Sequence, residues 1–439
     1  MTANWKRNTV LFLGGQALSL FGSSLVQYAI TWYITLKTQS GVMMTISIIC
    51  GMLPSFFISP FGGVWADRFN RRYLITIADG LIALATLALA LLFMAGYEYV
   101  WLLFVSLVVR ALGSGVQIPA VNAFIPQIVP EKHLTRVSAI NGTIQSVTMI
   151  VSPMMSAALL TFADIEAIFF IDVVTAALAI AVIFFFIKTG PHIKAAQKQE
   201  TRYASDMIEG VRYIRKNRYI KRFFLFCALF NFFIVPAAVM IPLQVTRNFG
   251  PDLWRLSATE ITFFVGMSLG GIAIGIRGGF KSRIKTMATA FLIFGICSVM
   301  FGAVSIFWIY LIFMGIAGII LPFFNTPATV LLQERVEESY MGRVFGVLNM
   351  IWSISIPLGM VVFGPLADIL PINWLFIGSG AVMFALSAFL YCDRTLRGTE
   401  SAAPGIGQPR VGAEVQKDDP YQTSGTGRNR KEGSRHFTE

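Results

Sequence analysis

Arg110 carries the most expensive charge in this sequence. It lies eleven residues from either end of an apolar run at about 99–121, a depth of about 16 Å at the helical rise per residue. A central arginine costs about 2.5–3.5 kcal/mol on insertion scales, so it must face a wet cavity or an acid. Ser114 and Gln117, four and seven residues on, share its helical face and extend a polar stripe. Acids inside apolar runs are few: Asp79, Asp172 and Glu260. His133, His192 and His436 all lie in connections or in the tail, so a proton carried within the runs must ride a carboxylate, whose charged form burial disfavours. Asp79 sits about two turns into its run, where it can meet Arg110 or pair with Arg68 or Arg72 and hold a loop. Asp172 and Glu260 are read as lying near the far surface, open to hydration. Arg110 itself fits two roles, a structural ion pair or a charge coupled to proton movement.

A second constellation is Gly63-Val64-Trp65-Ala66-Asp67-Arg68-Phe69-Asn70-Arg71-Arg72. One apolar run stops at a carboxylate, three arginines follow, and a second run begins at Tyr73. Such a charge knot between two spans is a tight loop at a membrane surface, and its excess of bases predicts the cytoplasmic side. Further polar side chains recur at helical spacing. Gln16, Ser23 and Gln27 share a face of the first run, and Asn141, Gln145, Thr148 and Ser152 form a stripe in the fifth. Ser152 and Pro153 open a small-residue stretch there, while Gly266, Gly270, Gly271 and Gly275 give the eighth run a smooth face. The spacing predicts close approach of the fifth and eighth runs.

The elements that must position these residues follow from composition. With 439 residues, 55% apolar and 13% charged, the chain is far from the quarter charged of soluble domains and reads as a polytopic membrane protein. Runs at about 9–36, 42–65, 73–95, 99–121, 136–163 and 165–188 precede a polar stretch, and six more follow at about 220–246, 258–277, 286–305, 307–332, 343–367 and 372–392. The fold class expected is all-α, with twelve transmembrane helices in two six-helix pseudo-symmetric bundles. Its divisions are a first bundle at 1–188, a linker with an amphipathic helix at 189–219, a second bundle at 220–393 and a disordered tail at 394–439. Bases gather in alternate connections, which predicts both termini in the cytoplasm of a multi-pass cell-membrane protein and accounts for the net charge of +12 without nucleic acid. The four cysteines all fall in apolar runs, as small buried hydrophobes, and no metal or cofactor is expected. The first run begins at Thr9 and continues for a full span, so no cleaved leader is expected. The sequence lacks a Gly-x-x-x-x-Gly-Lys-Ser/Thr phosphate loop and a Gly-x-Ser-x-Gly turn, which disfavours an ATP-driven pump and an embedded enzyme.

The loop at Gly63, Asp67, Arg68, Arg71 and Arg72 resembles, nearly position by position, the signature between spans 2 and 3 of the major facilitator superfamily. Asn70 stands where glycine is usual, and asparagine tolerates a positive φ best among the other residues. Gly275 to Lys285 repeats the loop with Gly279 in place of the acid, the duplication expected of that architecture. Arg110-Ala111-Leu112-Gly113-Ser114-Gly115 resembles the superfamily's span 4 signature, whose arginine the resemblance implicates in proton coupling. Ser152-Pro153-Met154-Met155-Ser156-Ala157 is similar to the span 5 antiporter motif, with small residues replacing its glycines. Trp5-Lys6-Arg7, Gly15-Gln16-Ala17, Ile150-Val151-Ser152-Pro153 and Tyr340-Met341-Gly342-Arg343 resemble the macrolide-efflux branch of the drug–proton antiporters.

That resemblance implies a stand-alone exporter of macrolide-like drugs driven by protons, with Asp67 facing the start of span 11 near Gly342 and Arg343 when the cytoplasmic side closes. An exporter of an endogenous solute, such as a siderophore or lipid, is the alternative on the same scaffold. In the superfamily spans 1, 4, 7 and 10 surround the cargo. Phe230, Asn231, Phe323, Phe324 and Asn325 are then cavity candidates beside the span 1 and span 4 stripes, suited to a large amphiphilic cation.

Overall fold

The computed structural model describes residues 5–187, 203–277 and 282–393. The first six apolar runs become α1 Trp5–Thr38, α2 Gly41–Arg68, α3 Arg71–Met94, α4 Val100–Ile128, α5 Glu131–Phe162 and α6 Ile165–Ala181, the last ending in a π turn at Val182–Phe186. After α7 Tyr203–Lys216 come α8 Arg218–Phe233, α9 Val235–Val239 and α10 Ile241–Phe249, then α11 Leu253–Arg277, α12 Arg283–Ala303, α13 Phe307–Arg335, α14 Glu338–Ile369 and α15 Ile372–Cys392. Among the described residues, eleven helices are long and apolar enough to cross a membrane. The twelfth crossing is α8–α10, broken where Pro236 and Pro242 lack the N–H that a continuous helix needs. The helical fold class is as expected. The tail at 394–439, the first part of the linker and most of the second-copy loop around Gly279 lie outside the described residues.

Four of the helix starts are closed by side-chain caps. Ser40 caps α2, Asn217 caps α8 and Ser282 caps α12, each accepting from a first-turn N–H. Asn70 does the same for α3, accepting from the Arg72 N–H at φ −66°. The expectation of a positive φ there is corrected: asparagine serves as a cap, a role glycine's missing side chain cannot fill.

The sixfold shift of the pattern is visible in which helices pack together. In the first half α2 lies on α4, α3 on α4 and α6, and α1 on α5 and α6. In the second, α11 lies on α13, α12 on α13 and α15, and α8 on α14. Glycines permit the equivalent α2–α4 and α11–α13 approaches. A Cβ on Gly62 would strike the Gly115 carbonyl, and one on Gly266 or Gly270 would strike the backbone of Gly315 or Ile319. Gly266 and Gly270 are thus used within their own half, against α13, while α11 also packs on α5 across the halves, the approach expected of the fifth and eighth runs. Gly271 and Gly275 meet nothing within 4 Å.

Apolar packing differs between the halves. The second half is organised by one large buried cluster. The first half has two, one around Leu25, Ile30, Phe93, Leu107 and Phe169, the other around Phe12, Ile75, Phe124 and Ile183. Along every one of α1, α3, α4 and α6 a gap separates the two clusters. Polar side chains fill that gap.

Candidate functional site

The polar layer is built as two rungs. In the first, Arg110 of α4 donates through Nη1 to Asp172 Oδ2 of α6 at 2.6 Å and to the Thr86 hydroxyl of α3. Its Nη2 donates to the Ser23 carbonyl of α1 at 2.8 Å. Asp172 also accepts from Ser23 Oγ at 3.1 Å and from Thr86 Oγ1 at 2.9 Å. Arg110 is 4% exposed and Asp172 0%. The expectation that Asp172 lies near the surface in water is corrected: it is fully enclosed and ion-paired with Arg110. Gly22 makes this possible, since a Cβ there would strike Thr175 and crowd the Asp172 backbone, and α6 could not then bring its carboxylate to α4.

The second rung lies seven residues away along both α3 and α4, about 10 Å nearer the arginine-rich loop. Asp79 of α3 is 1% exposed. Its Oδ1 accepts from Gln117 Nε2 of α4 at 2.5 Å and from Ser19 Oγ of α1 at 3.3 Å. Its Oδ2 has no hydrogen-bond partner among the described residues, nor has Nε2 of the buried Gln16 one turn from Ser19. Neither Arg68 nor Arg72 serves Asp79: its bonds go to Gln117 and Ser19, and Arg68 is exposed. Arg72 donates to the Phe184 carbonyl and lies over that ring, while Arg71 holds the Ala66 and Ala123 carbonyls at 2.9 and 3.0 Å. Two carboxylates and one guanidinium therefore share a dry layer. Groups in that arrangement can hold and release a proton.

Ser19 and Thr86 were not singled out from the sequence. Each is legible in retrospect, Ser19 three residues from Gln16 and Thr86 seven from Asp79, on the faces already polar. Other candidates are distributed as follows. Ser114 is half-buried in α4, and Gln27 faces Gly51 of α2, where an added Cβ would come within 2.9 Å of its Nε2. Asn141, Thr148, Ser152 and Pro153 are buried in α5 and Gln145 is exposed. Phe230 and Phe324 are buried on each other and on Phe291, with ring centroids 4.1 to 5.3 Å apart, so in this conformation they are core aromatics. Asn231 is turned back onto the Cys227 carbonyl at 2.8 Å, and Asn325 is half-buried. Glu260 on α11 is half-buried within electrostatic reach of Tyr28 on α1.

The two halves meet at the end away from the arginine-rich loop. The carboxylate of Asp368, at the end of α14, receives the Ser40 hydroxyl at 2.7 Å and the N–H groups of Gly41 and Val42 at 2.7 and 3.0 Å. It thereby closes the first turn of α2. Arg247 of α10 bridges to Asp368 at 2.7 Å and to the Gln39 carbonyl at 2.5 Å. Gln39 is held at φ +47°, the one non-glycine residue with positive φ among the described residues. Thr45 donates to the Met360 carbonyl at 2.9 Å, and Trp32, Met44, Ile48 and Ala157 enter the buried cluster of the second half. At the other end Asp67 is paired with Arg71 at 3.7 Å and Arg343 with Glu209 of α7 at 3.1 Å. Gly63 is in open space. None of the latch residues Gln39, Ser40 or Asp368 stood out in the sequence, since each resembles an ordinary turn residue.

Comparison with known proteins bears on the family and the fold. Residues 12–355 and 237–424 match the family model described as Major Facilitator Superfamily. The chain is 31% identical over 388 residues to macrolide efflux protein A of Streptococcus pyogenes, covering 88% of this chain and 95% of that protein. A protein of the same name from Enterococcus faecalis is 31% identical over 325 residues, 73% of this chain and 99% of its own length. Among solved structures, a bacterial homologue of the human lysosomal transporter Spinster, in an inward-facing and unoccupied conformation, superposes with a TM-score of 0.64 at 14% identity, covering 92% of this chain and 98% of that one. At that identity the likeness is one of fold.

Proposed function

Since this chain belongs to the Major Facilitator Superfamily, we propose that it exports macrolide-like amphiphiles from the cell in exchange for protons, by alternating access. The relatives named for macrolide efflux supply the cargo class. The excess of bases around Arg68, Arg71 and Arg72 supports a cytoplasmic position for that end and for both termini. The Asp368 latch then closes the outer side, and the conformation is inward-facing.

The observation that carries proton coupling is the polar layer. Were Asp79 and Asp172 both ionised, one guanidinium would face two carboxylates in a medium where an uncompensated charge is severely penalised. One proton balances the layer. Asp79, which accepts only from a hydroxyl and an amide and has a free Oδ2, is its seat. Losing that proton leaves two acids competing for Arg110, and α4 can then be drawn relative to α1, α3 and α6, the helices to which Arg110 joins it. This converts a protonation into a helix displacement.

Everted membrane vesicles carrying the protein should accumulate a labelled macrolide when acidified inside. Accumulation should collapse with a protonophore and persist without ATP. Undiminished accumulation at zero proton gradient would refute proton coupling, and no macrolide movement under a full gradient would refute the cargo class.

A further inference from the structure

At the arginine-rich end, α7, α8 and α14 enclose a groove of about 470 Å3. Arg215, Arg218 and Lys221 stand on its rim. All three are exposed, and none of their side chains forms an ion pair or hydrogen bond with the described residues. The neighbouring Arg222 differs, being bound by Asp393 at 2.8 Å. Below the bases the wall is apolar, made by Leu225, Val347 and Ile351. Leu225 is 58% exposed. Val347 and Ile351 lie eleven and seven residues before Leu358, on one stripe of α14. Along that stripe Val347 is buried at the base of the groove, Ile351 is half-buried and Leu358 is 54% exposed in the half of the molecule where the bundles are shut against each other, so the stripe runs out to the bilayer-facing surface.

Three unpaired cations above an apolar wall that continues into the lipid-facing surface complement a phosphate carried on acyl chains. We propose that this groove binds one anionic phospholipid of the cytoplasmic leaflet. Arg215, Arg218 and Lys221 hold its phosphate, and an acyl chain lies along Leu225, Val347 and Ile351. The leaflet follows from the orientation proposed above. The occupied groove ties together the linker helix, the start of span 7 and the start of span 11. The linker helix already grips span 11 through Glu209–Arg343 and the stack of Tyr213 on Tyr340, with centroids 4.5 Å apart.

The test titrates purified full-length protein in detergent with phosphatidylglycerol, phosphatidylcholine or soluble glycerol phosphate, counting bound molecules by native mass spectrometry. Phosphatidylglycerol should be preferred over phosphatidylcholine at least tenfold, and glycerol phosphate should not be retained at the same concentration. Arg215→Gln/Arg218→Gln/Lys221→Gln should weaken phosphatidylglycerol binding by on the order of 10–100-fold, whereas Arg215→Lys/Arg218→Lys should stay within a few-fold of the parent. If the triple variant does not fold, Lys221→Gln alone should show a severalfold loss. Unchanged binding in the glutamine variants, or equal affinity for phosphatidylcholine, overturns the proposal. Retention of glycerol phosphate would make this a soluble-anion site and overturn the lipid occupant. No macrolide and no gradient enter the assay, so it can succeed where the efflux reading fails.

Discussion

Arg110 and Asp172 are each prohibitive alone and tolerable together. Breaking a buried pair by removing one partner costs about 3–5 kcal/mol, because the survivor remains charged and dry. Arg110→Ala should therefore lower thermal stability as well as abolish efflux. Arg110→Ala/Asp172→Asn should recover most of the stability and none of the transport, read by thermal unfolding and vesicle accumulation side by side. Transport by the double variant would show the pair to be purely structural. Asp79 separates the roles more cleanly. Asp79→Asn keeps an acceptor for Ser19 and Gln117 and mimics the protonated acid, so stability should change by less than about 1 kcal/mol. Passive macrolide exchange should persist while gradient-driven accumulation is lost. Accumulation at parental levels in Asp79→Asn would move the proton to another carboxylate.

At the scale of elements, the capped start of α2 is the contact most plainly tied to one conformation. Its first-turn N–H groups are satisfied by a carboxylate from the other half, a charge–dipole arrangement worth about 0.3–1 kcal/mol exposed and up to about 2 partly buried. Asp368→Asn should shift the population away from the latched state by roughly 2–30-fold, since about 1.4 kcal/mol is tenfold. Spin labels on Tyr99 and Trp374, both exposed at the latched end, would report a longer distance population. An unchanged distance distribution would show the latch to be incidental.

The helices themselves were legible, because runs of apolar residues interrupted by Arg68, Lys132 or Arg335 leave few alternatives in lipid. The break in span 7 at Pro236 and Pro242 was not read from the sequence, where 220–246 stands as one run, because α2, α4, α13 and α14 carry prolines without breaking. The partners of Arg110 were not legible, since which acid meets it depends on α6 being allowed against α1 by Gly22, a tertiary fact. Asp172 was misplaced for a simpler reason: it lies eight residues beyond Asp164, about 12 Å down a helix, too deep for surface water. The approach of spans 5 and 8 is present, but the glycines Gly266 and Gly270 lie on the other contact of span 8, against α13, because a smooth face does not name its partner.

For the whole molecule, two bundles of matching helix pairs have diverged in their centres, one polar and layered, the other aromatic and continuous. The proposed chemistry is confined to the first, and the second supplies Asp368 and Arg247 to the latch. Asp67, paired here with Arg71, has a role only if the opposite conformation brings it a partner. If it meets the start of α14 only when the cytoplasmic side is shut, Asp67→Asn should favour the present conformation by roughly 2–30-fold. Asp67→Asn/Asp368→Asn should then return the balance towards the parent. Cysteine-labelling rates at the two mouths measure both shifts, and a double variant displaced as far as either single one would contradict paired latches.

The turn at Gln39 behaves as a loaded spring. A glutamine in the left-handed region stores about 1–2 kcal/mol, and here the grip of Arg247 on its carbonyl coincides with that geometry. When Arg247 withdraws, the turn is free to relax, and the stored energy favours release over re-engagement. Gln39→Gly removes the load, so the latched state should become more populated and open more slowly. A β-branched residue at the same position, as in Gln39→Val, should have the opposite effect, setting by backbone geometry alone how long the outer mouth stays shut.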